Sequence, residues 1–108
     1  MRMPEEAILL RIFIGESDRC EGRPLYEAIV LAARQRKLAG ATVLRGPMGY
    51  GHSSHLHTSR ILRLSEDLPL IIEIVDDKER IDAWLPELDG MMTSGLVTME
   101  KVQVVRYG

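Results

Sequence analysis

The segment Pro69-Leu70-Ile71-Ile72-Glu73-Ile74-Val75 decides the fold. Its isoleucines and valine favour a strand, and Pro69 before it and Asp76-Asp77 after it leave no room for a helix. Apart from Glu73 it is apolar on both alternating faces, the pattern of a strand covered from two sides. Glu73, an acid in such a strand, calls for a pairing arginine from the first or last strand. Downstream, Asp76 and Asp77 cap a helix whose apolar stripe is Ile81, Trp84 or Leu85, Leu88, and Met91 or Met92. Pro86 falls inside that stripe and predicts a kink or a short break. Thr93-Ser94-Gly95 closes the helix, and Lys101 to Arg106 alternates as a last strand.

Upstream, the chain reaches Pro69 through a long polar loop, 46–68. The loop starts from a short strand, Ala41-Thr42-Val43-Leu44, and from the cluster Gly46-Pro47-Met48-Gly49-Tyr50-Gly51. It continues through His52-Ser53-Ser54-His55-Leu56-His57 and returns by Ser65-Glu66-Asp67. Before it, Leu25, Ile29, Ala32 or Ala33, and Arg36 step at helical spacing, so Arg23 to Leu38 is an expected amphipathic helix. Pro24 suits its first turn, Arg34, Arg36 and Lys37 its last, and Gly40 stops it. Ala7 to Gly15 is a first strand, apolar on both faces except for Arg11, and Glu16 to Gly22 is a polar connector.

Strand, helix, strand, long loop, strand, helix, strand is the ferredoxin-like βαββαβ arrangement, an α+β fold with both helices on one face of an antiparallel sheet. Helices on one face leave the other face of the first and third strands uncovered. Another copy of the chain is the expected cover.

At 108 residues the chain is expected to form a single domain, 1–108. A net charge of -2 gives no bulk attraction to nucleic acid or to an anionic membrane. No apolar run approaches the roughly 20 residues of a membrane helix. The lone cysteine, Cys20, excludes an internal disulfide, and with a charged, proline-bearing start to the chain the expected location is cytoplasmic.

Long loops between core strands are usually functional, and clustered glycines let backbone N–H groups approach an anion. The loop base is therefore expected to hold a small anionic ligand, with Arg45, Lys101 and Arg106 as cations and Thr93-Ser94-Gly95 close by. The cluster lacks the spacing and the lysine of a Walker loop. His52, His55 and His57 offer an alternative, a divalent-metal site with Glu66 or Asp67 folding back as a third ligand. Ser53 or Ser54 beside a histidine lacks an orienting carboxylate, and no catalytic constellation emerges. Trp84 and the Met91-Met92 pair are core positions.

Four stretches resemble family 190 of domains of unknown function: Leu10-Arg11-Ile12-Phe13-Ile14-Gly15-Glu16-Ser17-Asp18, Pro24-Leu25-Tyr26-Glu27-Ala28-Ile29, Gly40-Ala41-Thr42-Val43-Leu44-Arg45-Gly46, and Ile61-Leu62-Arg63-Leu64-Ser65-Glu66-Asp67-Leu68-Pro69. The resemblance covers nearly the whole chain. That family is similar to the PII signalling proteins, ferredoxin-like trimers that bind adenine nucleotides between subunits and signal through the loop after the second strand. The resemblance implies an adenine pocket at Gly40, Ala41 and Thr42, and phosphate contacts at Gly49, Tyr50 and Gly51, to which the glycine cluster itself adds Gly46 as a ligand-site candidate. It also implies a phosphate-contacting loop from Ser94-Gly95 to Lys101, with Arg106 as a basic residue after the last strand.

Departures are informative as well. Leu96 stands where PII proteins carry a lysine, Thr98-Met99-Glu100 replaces a glycine-rich turn, and Glu100 repels a triphosphate. His52 and Ser53 stand where PII proteins carry arginine and glutamine, and no tyrosine lies between His52 and Pro69. The implied effector is AMP or ADP rather than ATP, with no required cofactor and no metal. The implied partners are two further copies of the chain and an unidentified protein, a membrane transporter at the level of the superfamily. The metal alternative resembles the cation tolerance proteins that share this fold.

Overall fold

The decisive segment forms a strand, β3 (Pro69–Asp76), in a computed structural model that describes residues 5–51, 57–58 and 67–108. The other main elements are β1 (Glu6–Gly15), α1 (Leu25–Gln35), β2 (Thr42–Arg45), α2 (Lys78–Met91) and β4 (Leu96–Gln103). The strands form one antiparallel sheet in the order β2-β3-β1-β4. This is the expected α+β, ferredoxin-like arrangement. Among the described residues no helix is long and apolar enough to cross a membrane.

Alternation along β1 and β3 separates the two faces. Ile8, Leu10, Ile12 and Ile14 of β1 and Leu70, Ile72 and Ile74 of β3 are buried under the helices, against Leu25, Ile29 and Ala33 of α1 and Ile81, Trp84 and Leu88 of α2. The opposite set, Leu9, Arg11 and Phe13 with Ile71, Glu73 and Val75, faces away from the helices and is only half buried. Trp84 is a core residue as expected, and Met91 and Met92 pack partly buried at its rim.

Local chemistry shapes the element ends. α1 is shorter than the predicted Arg23–Leu38, because the chain turns twice around it. Before α1, Arg19–Cys20 pairs with Arg23–Pro24 in a small hairpin that turns through positive φ at Glu21 and Gly22. The predicted polar connector therefore contains a folded turn. After α1, Lys37 takes the left-handed conformation (φ 59°), and N–H groups of Lys37 and Leu38 donate back to the Arg34 and Ala33 carbonyls. This pair of bonds ends the helix before Gly40, which is not the stop signal. A backbone contact to Arg80, which donates from Nη2 to the Lys37 carbonyl, holds the unusual residue in place.

Asp77 caps α2 by accepting from the Arg80 N–H at 2.7 Å, while Asp76, buried in the same turn, accepts from Ala39 N–H, Asp77 N–H and Arg80 Nε. α2 runs uninterrupted through Pro86, so no break occurs there. Ile81, Trp84 and Leu88 are fixed in the core on both sides of the proline, and their burial outweighs the lost backbone bond.

β4 differs most from expectation. It spans Leu96–Gln103 and pairs with β1 from Phe13↔Leu96 to Glu6↔Gln103, so residues 96–101 are strand rather than a loop, and Arg106 lies beyond it. All but Val102 are exposed, and this edge position explains why Thr98-Met99-Glu100 carries no core-facing pattern.

Candidate functional site

At one end of the sheet the chain builds a cavity of about 740 Å³ on the face away from the helices. Its floor is Leu9, Glu73 and Val75, its near wall Ala39 to Thr42, and its roof the segment Val104 to Tyr107. This last segment leaves the β4 edge, where the Val104 N–H donates to the Glu5 carbonyl at 2.6 Å. It reaches the opposite edge, where the Tyr107 hydroxyl donates to the Ala39 carbonyl at 2.9 Å. Arg106 lines the cavity with no ion-pair partner among the described residues.

Four of the predicted positions, Gly40, Ala41, Thr42 and Arg106, thus meet around one space. β2 is an edge strand, so its outer N–H and C=O groups are available to a planar heterocycle. Arg106 adds a forked cation at the mouth. Sequence reasoning missed the roof, since no hydrophobic periodicity in Val104-Val105-Arg106-Tyr107 announces that the chain crosses the sheet. Tyr107 was the available signal, an aromatic with a polar tip near the end of an edge strand.

Charges on the same sheet face are already arranged. Arg11 Nε donates to Glu73 at 2.9 Å and its Nη1 to Glu100 at 2.5 Å, which provides the pairing expected of Glu73. The hydrogen bond to Glu73, opposed by partial desolvation and aided by Glu100, raises the Arg11 pKa above the ordinary guanidinium value. A raised pKa favours the charged form, so this guanidinium stays ionised throughout the working pH range.

Other predicted residues lie elsewhere. Arg45, Gly46, Gly49, Tyr50 and Gly51 sit at the opposite end of β2, where Arg45 pairs with Leu70 and Gly46 follows. Gly46 and Gly49 pack on the Pro69 ring so closely that a Cβ on either meets Pro69 Cγ at 3.1 or 3.2 Å. Their first role is this close approach, and Met48–Gly49 pairs beyond it with His57–Thr58. Tyr50 is exposed. Gly95 lies at the same end, but at the far edge of the sheet, about 14 Å away over three strand spacings. The two glycine segments that sequence reasoning brought together are therefore kept apart within one chain. Gly95 has φ 118°, and a Cβ there meets the Phe13 carbonyl at 2.8 Å, so the residue is required by the turn into β4.

Lys101 stands opposite Ile8 on the helix side of β4, near Glu5, Glu6 and Gln103. It does not reach the cavity of Arg106. Ser53, Ser54, His52, His55 and Glu66 lie outside the described residues, as does the side chain of His57. Among the described residues no group of three or more metal-ligating side chains occurs.

Comparison with known proteins agrees with this architecture. The DUF190 family model, described as Uncharacterized ACR, COG1993, matches residues 7–104. A UPF0166 protein of Aquifex aeolicus (strain VF5) is 39% identical over 97 residues, covering 90% of this chain and 91% of that protein. A UPF0166 protein of Methanocaldococcus jannaschii is 35% identical over 102 residues, 94% of each chain. Among solved structures, CPII, a nitrogen regulatory PII-like protein from Thiomonas intermedia K12 bound to ADP, AMP and bicarbonate, superposes with a TM-score of 0.64. The alignment covers 94% of this chain and 90% of CPII at 18% identity, a likeness of fold.

Proposed function

The chain belongs to the DUF190 family, and on that premise we propose that it is a PII-like regulatory protein whose effector is a small adenine nucleotide, AMP or ADP rather than ATP. One observation carries the reading: Gly40, Ala41, Thr42 and Arg106 converge on a single cavity, in a fold shared with a protein solved with ADP and AMP. The exposed outer edge of β2 supplies hydrogen-bonding groups for the base, and Arg106 supplies charge. Arg45 stands about 13 Å along the same edge from Ala41, at the end that carries Gly49 and Gly51, and in this reading these residues meet the phosphates.

The functional unit in this reading is a cytoplasmic homotrimer. Its copies bring the Gly95 edge of one subunit to the Gly46 edge of the next, the two edges that a single chain separates. Ligand at the loop base selects one conformation of loop 46–68, and a partner protein reads that conformation, a population shift rather than a reaction. A membrane transporter is the partner class that this mode of signalling suits.

A thermal-shift series with AMP, ADP, ATP and bicarbonate, then zinc, copper and nickel, tests the proposal together with native mass. A ligand at about 100 times its dissociation constant stabilises by roughly 2.7 kcal/mol, well within detection. The expected result is a trimer stabilised by AMP or ADP, with the response lost in Arg106→Ala. Stabilisation by metals alone, abolished by His55→Ala with His57→Ala, overturns it in favour of a metal-binding trimer.

A further inference from the structure

The long loop leaves and re-enters the sheet through one clasp. At its entry, Arg45 donates from Nη2 to Glu16 Oε2. At its exit, the Glu16 N–H donates to the Leu68 carbonyl at 2.8 Å and the Ser17 N–H donates to Asp67 Oδ1 at 2.9 Å. Asp18 ties the clasp to its surroundings: its carboxylate accepts from the Gly15 N–H at 2.9 Å and its carbonyl from the Leu25 N–H at 2.7 Å, at the start of α1. Glu16 is thus held by backbone on both sides. Its side chain is 17% exposed against 55% for Arg45, and its Oε1 is buried with no hydrogen-bond partner among the described residues.

Arg45 adjoins the glycine segment Gly46 to Gly51, whose first N–H, that of Gly46, is already donated to the Pro69 carbonyl at 2.8 Å, and a half-exposed guanidinium at this turn attracts phosphate. Here the largely buried Glu16 carboxylate, on a backbone tied in place, already neutralises that guanidinium, and it repels every additional negative charge brought to the loop base. We propose that Glu16 is the specificity-determining residue of this site: a built-in competitor for Arg45 that admits anions of low charge and rejects triphosphates. An anion that captures Arg45 opens the entry side of the clasp and leaves the exit side tied by backbone, which couples anion charge to the loop. The choice among nucleotides rests on the adenine reading above; the competition for Arg45 does not.

Calorimetric titration of the full chain with inorganic tripolyphosphate, AMP and ATP separates the two. Glu16→Gln is expected to tighten tripolyphosphate and ATP about tenfold and AMP less than about threefold. Arg45→Gln weakens the polyanions, and the double variant, with both charges removed, returns to within about threefold of wild type. Where Glu16→Gln does not fold, the double variant against Arg45→Gln gives the same comparison, again about tenfold apart. Unchanged tripolyphosphate and ATP affinities, or an equal gain for AMP, overturn the role of Glu16. Nucleotides bound with an unaltered AMP-to-ATP preference overturn the clasp and spare the adenine reading. The tripolyphosphate pattern without nucleotide binding by any variant upholds the clasp and overturns the adenine reading.

Discussion

Lys37 shows how one residue's conformation can be decided by its neighbours. Its left-handed backbone disfavours any side chain, yet it lets two N–H groups return to the last turn of α1 and presents its carbonyl to Arg80. Lys37→Gly relieves the strain without removing a backbone bond, so urea denaturation is expected to show about 1 kcal/mol of added stability. The sequence placed the stop at Gly40 because glycine is the usual marker; the actual stop has no glycine, and no local pattern reveals it. The loop glycines gave the opposite lesson. Their clustering was legible, but the partner they approach, Pro69, is 20 or more positions further along the chain.

Elements with a buried face were legible in outline, and those without one were not. β1 and β3 carry apolar runs because helices cover one face and a half-buried surface forms the other. β4 has one neighbour, β1, and its first five residues follow no core-facing pattern because none of them enters the core. In α2 the converse holds, since core contacts on both sides of Pro86 impose a helix on a residue that disfavours it. Pro86→Ala restores a backbone donor inside an intact helix and is expected to raise stability by about 1–2 kcal/mol, measured by chemical denaturation with the fold checked by circular dichroism.

Taken whole, the molecule carries exposed apolar side chains along both sheet edges: Val43 and Leu44 on β2, and Leu96, Val97 and Met99 on β4. The proposed trimer, which joins these edges, would bury them. Leu96→Glu, at a side chain 56% exposed in the isolated chain, is expected to yield folded monomers by analytical ultracentrifugation, together with loss of the nucleotide-induced thermal shift. The sequence alone determined the order of elements, the two-layer fold and the helix-facing half of the core, because periodicity records which face of each element leaves water. Only the tertiary structure decided that the end of the chain roofs the Gly40–Thr42 cavity, that Glu16 holds Arg45, and that Lys101 faces the other way. Those facts depend on strand order and register, which bring together residues that no local pattern relates.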